Sequence, residues 1–242
     1  MAGSYLILAI ETATGCGSVS VTRGGSRNGR LLAEATAHPD ITHSRRLLGS
    51  VDWVMQAAGV EWPDLDGVAL SLGPGSFTGL RIGMAAAKGI VLALGVPLLA
   101  VSTFDGMALS CPVIDRPLWC LLDARKQEVY ASCFLPGEDG RPELHKKAFA
   151  VKPEVLAEEI NQPSLIAGPG VDAYQDIFAA VKDVRLIPAA LSSPRAARTG
   201  FLAAEQLAAG NILDPAGAVP LYVRASDAEI NLTRKGLQVN NV

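Results

Sequence analysis

The chain has 242 residues, about half of them hydrophobic, enough to bury a sizeable core as one large domain or two small ones. Its 21 Lys and Arg against 24 Asp and Glu give a formal charge of -3, which argues against a protein that grips nucleic acid by itself. Cys16, Cys111, Cys120 and Cys133 have no CxxC spacing and read as buried reduced thiols, and no signal peptide is visible, so a cytoplasmic protein without a membrane segment is expected.

Residues 5–10 are an unbroken apolar run that reads as a buried strand ending on Glu11-Thr12. A Gly-rich turn at 15–17 returns the chain into Ser18-Val19-Ser20-Val21, its hairpin partner. A loop then leads to a helix over 42–58, with Thr42 as a cap and an apolar stripe of Leu47, Leu48, Val51, Val54, Met55 and Ala58. The run 68–72 is a second strand. It breaks into Gly73-Pro74-Gly75 and opens onto an Ala- and Gly-rich helix over 78–94, with Ser76 as N-cap and Thr78 just inside the first turn. Such a junction aims backbone N–H groups and a helix N-terminus at an anion. Pro74 fixes one φ, while Gly73 and Gly75 admit positive φ and close approach. Along the helix, Gly79, Gly83 and Ala87 lie four apart and make a smooth face, suited to a partner helix or to the domain's own sheet.

The same order then recurs. Residues 118–122 form a strand ending on Asp123, and 129–134 form its returning partner. A helix at 153–160 precedes a short strand, 165–167, which runs into Gly168-Pro169-Gly170 and a helix bearing Tyr174 and Phe178. The repeat predicts two α/β halves, 1–103 and 104–225, facing each other across a ligand cleft with one Gly-Pro-Gly loop from each. A helix at 194–208 is read as returning to the first half, and 226–242 as a mobile tail.

Four blocks carry a family resemblance: Ile10-Glu11-Thr12-Ala13-Thr14; Ser71-Leu72-Gly73-Pro74-Gly75-Ser76-Phe77-Thr78-Gly79-Leu80-Arg81-Ile82-Gly83; Asp123-Ala124-Arg125 before Glu128-Val129-Tyr130; and Pro220-Leu221-Tyr222-Val223-Arg224 with Ala228-Glu229 behind it. Together they closely resemble the bacterial TsaB (YeaZ) family over nearly the whole chain. The resemblance implies an α/β fold of duplicated RNase H-like halves, that of actin, Hsp70 and sugar kinases (ASKHA). It also implies a non-catalytic subunit that pairs with a TsaD-type catalytic subunit and works with a TsaE-type ATPase. Together these make threonylcarbamoyladenosine beside the anticodon of tRNAs reading codons that start with A. The tRNA is met through the complex, and the chain forms a homodimer when alone. By the same resemblance the two first-half helices make the partner contact, with Ser44, Leu47, Leu48, Val51, Met55, Ile82, Ala86 and Ile90 as interface candidates, and the tail contributes to it.

The chemistry legible in the residues is incomplete. Active members of the fold carry an Asp and a Gly-Thr on the first hairpin, for metal and phosphate; here the place reads Glu11-Thr12-Ala13-Thr14. Glu11 is therefore either a carboxylate near a metal-bound water or a polar strand end bonded to its own turn. His38, His43 and His145 do not form the paired-histidine metal helix of TsaD, and no Gly-x-Ser-x-Gly elbow is present. The expectation is no catalytic residue, no metal and no intrinsic cofactor. Glu11, Thr12, Gly73, Pro74, Gly75, Ser76, Thr78 and Arg81 are the nucleotide- or anion-loop candidates, and ATP or ADP would bind where this chain meets its partner. Asp123, Arg125 and Glu128 are either a solvated turn or part of the cleft lining. Two rivals stand beside this reading: a free-standing ATP-dependent small-molecule kinase of the same fold, and a glycoprotease-like peptidase.

Overall fold

The computed structural model describes residues 4–37 and 43–224, without the side chains of 43–46. β1 (Leu6–Glu11) is buried at every position, as a strand in the middle of a covered sheet must be. It pairs antiparallel with β2 (Gly17–Arg23), and β2 with β3 (Arg30–Ala37). After α1 (His43–Ala58), β4 (Gly67–Gly73) lies parallel on the other side of β1; after α2 (Phe77–Leu94), β5 (Leu98–Ser102) closes the edge. The order is β3-β2-β1-β4-β5.

α3 (Thr103–Ala108) leads into the second sheet. There β6 (Leu118–Arg125), β7 (Glu128–Pro136) and β8 (Pro142–Val151) form an antiparallel run. α4 (Pro153–Glu159), β9 (Ser164–Ala167), α5 (Gly170–Ala173), α6 (Gln175–Ala179) and β10 (Val184–Leu186) follow, with β9 and β10 parallel to β6. Its order, β10-β9-β6-β7-β8, is that of the first sheet read from the opposite end. The chain is thus the duplicated RNase H-like fold. β3 falls where the sequence predicts a loop, and β8 where it predicts no element. Both are edge strands with many solvent-exposed residues, so neither shows the apolar run of a central strand.

The last helices exchange sides. Phe104, Met107 and Ala108 of α3 pack with Leu118, Cys120, Leu122 and Ala167 of the second sheet. After α7 (Ala189–Ser192) comes α8 (Ala196–Ala208), and Ala196, Ala203 and Ala204 pack with Ile7, Ala9, Ala69 and Leu99 of the first sheet. Small side chains let α8 lie close. Its N-terminus is met by Ser18 Oγ, which accepts from the Ala196 amide at 3.2 Å, and by Glu34 Oε1, which accepts from the Ala197 amide at 3.0 Å. A carboxylate at the positive end of the helix dipole stabilises that docking.

On the opposite face of the same sheet lies α2. Ser76 caps it, accepting from the Gly79 amide at 3.3 Å, and Gly95 ends it at φ 71°. Length and composition alone would let α2 cross a membrane. In this fold its Met84, Ala87 and Val91 row is buried in the core formed with β1 and β4.

Candidate functional site

Both Gly-Pro-Gly loops and both hairpin turns open onto one cleft of about 840 Å³ between the halves. Ala13, Thr14, Gly15, Gly75, Ser76, Phe77 and Thr78 line it from the first half. Asp123, Arg125, Lys126, Tyr130, Pro169 and Asp172 line it from the second, and Tyr222 and Arg224 complete the wall. The size is that of a small-molecule site.

The first Gly-Pro-Gly loop is closed on its own chain. Gly73 has φ 119°, but Gly75 does not adopt a positive φ. Gly75 is needed for proximity instead: a Cβ there would stand 2.6 Å from the Ala13 Cβ. The Ser76 amide donates to the Ala13 carbonyl at 2.6 Å, and the Gly79 amide is taken by the Ser76 hydroxyl. Two of the donors an anion would use are therefore occupied. Gly79 and Gly83 press on Thr12 in the same way, the first against its carbonyl oxygen and the second against its hydroxyl. The smooth face of Gly79, Gly83 and Ala87 thus serves the domain's own sheet, because only glycine lets helix and strand end approach so closely.

Glu11 lies beneath this loop, 1% exposed and outside the cleft lining. Its Oε1 accepts from the Ala13 amide at 2.6 Å, and Ser71 Oγ donates to its Oε2. Burial pushes its pKa up to about 7, with the two hydrogen bonds pulling the other way. It is a strand end bonded to its own turn. Of the eight loop candidates, Gly75, Ser76 and Thr78 line the cleft, while Glu11, Thr12, Gly73 and Pro74 are buried below it. Arg81 stands at the rim: its Nε donates to the Tyr222 hydroxyl at 3.0 Å, and its guanidinium sits 3.9 Å from the centre of the Phe77 ring.

In the second half, Asp123 and Arg125 line the cleft, with Asp123 Oδ1 accepting from the Arg125 amide at 2.8 Å. The β6–β7 turn holds Arg125, Lys126 and Gln127 all at positive φ (61°, 53° and 61°). Glu128 is engaged by Arg224, whose Nη1 donates to its Oε2 at 2.6 Å and whose Nη2 donates to the Ala124 carbonyl at 3.1 Å. That arginine belongs to a strap over residues 218–224. Lys88 Nζ donates to the Ala218 carbonyl at 2.7 Å, and the Leu221 amide donates to the Leu72 carbonyl at 2.8 Å. The strap runs from α2 and the end of β4 to the second half's hairpin. The sequence marks this segment by resemblance but assigns it no place.

The predicted partner surface is only partly on the surface. Leu47, Val51 and Met55 are buried in the first half's core, at 7%, 1% and 4% exposure, which corrects their reading as interface residues. The α1 stripe is the face that covers β2 and β3. Leu48 is exposed at 60%, and Ile82, Ala86 and Ile90 are half-buried. Trp53, at 55%, and Leu92, at 87%, are exposed apolar residues that periodicity did not single out. Ala85, Gly89 and Ala93 form a second small-residue ridge on α2, and this one faces solvent. Thr42, His38, Ala228, Glu229 and the tail lie outside the described residues, as do the side chains of His43, Ser44, Arg45 and Arg46. Among the described residues no cluster of three or more His, Cys, Asp or Glu could hold a metal. All four cysteines are free thiols, and burial pushes the pKa of each upward, that of Cys133 to about 11.

The family model of TsaD, tRNA N6-adenosine threonylcarbamoyltransferase, matches residues 31–232. The tRNA threonylcarbamoyladenosine biosynthesis protein TsaB of Escherichia coli is 32% identical over 179 residues, covering 71% of this chain and 74% of that protein. The TsaB protein of Bacillus subtilis is 27% identical over 92% of this chain and 96% of its own length. Among solved structures, YeaZ from Pseudomonas aeruginosa is similar with a TM-score of 0.74 at 27% identity, over 90% of this chain and 99% of that one.

Proposed function

This chain belongs to the TsaB (YeaZ) family, and from that premise we propose that it is a non-catalytic subunit in the biosynthesis of threonylcarbamoyladenosine on tRNA. It docks on a TsaD-type catalytic subunit and activates it, together with a TsaE-type ATPase, for transfer of the threonylcarbamoyl group to N6 of the adenosine beside the anticodon. The complex holds the tRNA. The protein works in the cytoplasm and pairs with itself when the partner is absent.

The observation that carries this reading is the outward face of α1 and α2. Leu48 and Trp53 on α1 and Leu92 on α2 are exposed, α2 also presents the Ala85, Gly89 and Ala93 ridge to solvent, and Asp52, Arg81 and half-buried Lys88 are the charged residues of the two helices nearby in sequence. Small residues permit close helix approach, and large apolar residues supply burial on docking. The first-half chemistry supports the same reading: the Glu11 carboxylate is spent on its own turn, and the adjoining loop amides are spent on Ala13 and Ser76. A kinase of this fold would need those groups facing the cleft. ATP or ADP then binds at the partner contact.

The test is a reconstituted reaction containing TsaD, TsaE, ATP, a source of threonylcarbamoyl-adenylate and tRNA, with and without this chain. Modification is expected only when the chain is present, and none from the chain alone. Modification that persists in its absence would sink the proposal. Leu92→Arg and Leu48→Arg are expected to weaken capture of the TsaD-type subunit roughly tenfold or more, as loss of an interface anchor does, with the melting temperature of the free protein unchanged.

A further inference from the structure

Residues 218–224 bond to both halves of the molecule within a short length of chain. Ala218, 4% exposed, is packed in the first half's core, and its carbonyl accepts from Lys88 Nζ at 2.7 Å. Further along, the Leu221 amide donates to the Leu72 carbonyl at 2.8 Å, near the end of β4. Tyr222 then lies against α2: its ring centre is 5.1 Å from that of Phe77, and its hydroxyl accepts from Arg81 Nε at 3.0 Å. Arg224 is already on the second half, donating to Glu128 and to the Ala124 carbonyl. From Tyr222 to Arg224 an extended chain reaches about 7 Å at most. While both residues are held, the β6–β7 hairpin is tied to the first half at short range. Tyr222 and Arg224 line the cleft, whereas α3 and α8, the helices that cross between the halves, contribute nothing to its lining.

The tie is weakly held. Val219, Leu221 and Tyr222 are 69%, 43% and 37% exposed, so beyond Ala218 little apolar burial fixes it and a few hydrogen bonds carry the load. Its grip on α2 also lies on an open side of that helix. Arg81, Ala85, Lys88 and Leu92 recur at helical spacing and share one stripe, on which Arg81, Ala85 and Leu92 are exposed. We propose that residues 218–224 form a latch, pivoting at Ala218, that couples this stripe of α2 to the width of the cleft. A second molecule that engages Arg81 takes the donor away from Tyr222. The strap then lifts, Arg224 loses its fixed approach to Glu128, and the β6–β7 hairpin is free to move away from the wall at 75–78. That the second molecule is the catalytic subunit rests on the docking reading above; the latch itself does not.

Amide hydrogen exchange of the full chain, read residue by residue, tests the latch and its trigger separately. Arg81→Ala is expected to speed exchange of amides 123–128, on the other half, roughly fivefold, the factor one ordinary hydrogen bond contributes, while the amides of β1 keep the wild-type rate. Tyr222→Phe, which keeps the ring and removes only the hydroxyl, should act in the same direction. Val219→Ala, at the most exposed of the three apolar strap residues, should alter neither region. Wild-type rates at 123–128 in both Arg81→Ala and Tyr222→Phe overturn the latch, and so does equal acceleration in β1, which would be general loosening. Adding the TsaD-type subunit to the wild-type chain is expected to speed the same amides. A subunit that binds without speeding them overturns the coupling to α2. One that does not bind overturns the docking reading, and the latch then stands or falls on the two variants.

Discussion

Glu11 links the cleft loop to pH. Its folded pKa, about 7, lies above the ordinary value of 4.5. The folded state therefore holds its proton more tightly than the unfolded chain. Its contribution to stability is fully present below pH 4.5 and is lost as pH rises through about 7. Glu11→Gln keeps an acceptor for the Ala13 amide and supplies a donor toward Ser71. It is expected to flatten that slope and to stabilise the protein above neutrality, on the order of 3 kcal/mol at about 1.4 kcal/mol per pKa unit. Urea midpoints between pH 5 and 8 check this; parallel profiles for the two proteins would refute it.

The glycines of α2 make a paired test at the same scale. At Gly79 an added methyl meets the Thr12 carbonyl, whereas at Gly89 nothing lies within 4 Å. Gly89→Ala should gain about 1 kcal/mol from helix propensity, and Gly79→Ala should lose about 1–3 kcal/mol to overpacking. Opposite shifts in urea midpoint for two identical substitutions on one helix are the expected result. The residue types and spacing of this face were legible in the chain, but its orientation was not. A ridge of Gly and Ala suits a sheet and a partner helix equally, and α2 carries one ridge against the sheet and one facing solvent. Trp53 and Leu92 were hidden for a related reason. Leu92 sits in a helix apolar nearly all round, so no polar counter-face marks it as outward.

Among the elements, the turn between β6 and β7 stands out. Lys126 and Gln127, both at positive φ, occupy the central positions that Asn-Gly fills most easily in a two-residue hairpin loop. A left-handed conformation costs an ordinary L-residue roughly 1–2 kcal/mol, so Gln127→Gly is expected to stabilise the protein by about 1 kcal/mol, read as a higher melting temperature. The elements legible from sequence were those with one strong signal: the apolar runs of β1 and β4, the capped α2, and the repeated Gly-Pro-Gly turns. β3 and β8 were not, because edge strands carry polar and charged residues where central strands carry Val and Ile. α3, only six residues long, has too few turns to display a period.

At the scale of the molecule, the cleft is held by contacts from beyond the two sheets. The Arg224–Glu128 pair is partly exposed, with side-chain exposures of 24% and 32%, so Arg224→Ala should cost no more than about 1 kcal/mol of stability. Its larger effect is expected in motion: amides 123–128 should exchange faster with solvent once the strap no longer grips the hairpin, while those of β1 do not change. Unaltered exchange at 123–128 would show that the strap does not restrain the turn.

The exchange of α3 and α8 has a consequence for how the chain can be divided. Cutting it in the 110–116 connection leaves one fragment bearing the first sheet with the second sheet's helix, and another bearing the second sheet with the first sheet's helix. Each fragment lacks a piece of its own core and carries a piece of the other's. Made separately, they should be aggregation-prone; made together, they should find each other and assemble without a linker. Such a pair would be a ready-made split reporter whose signal depends on mutual completion.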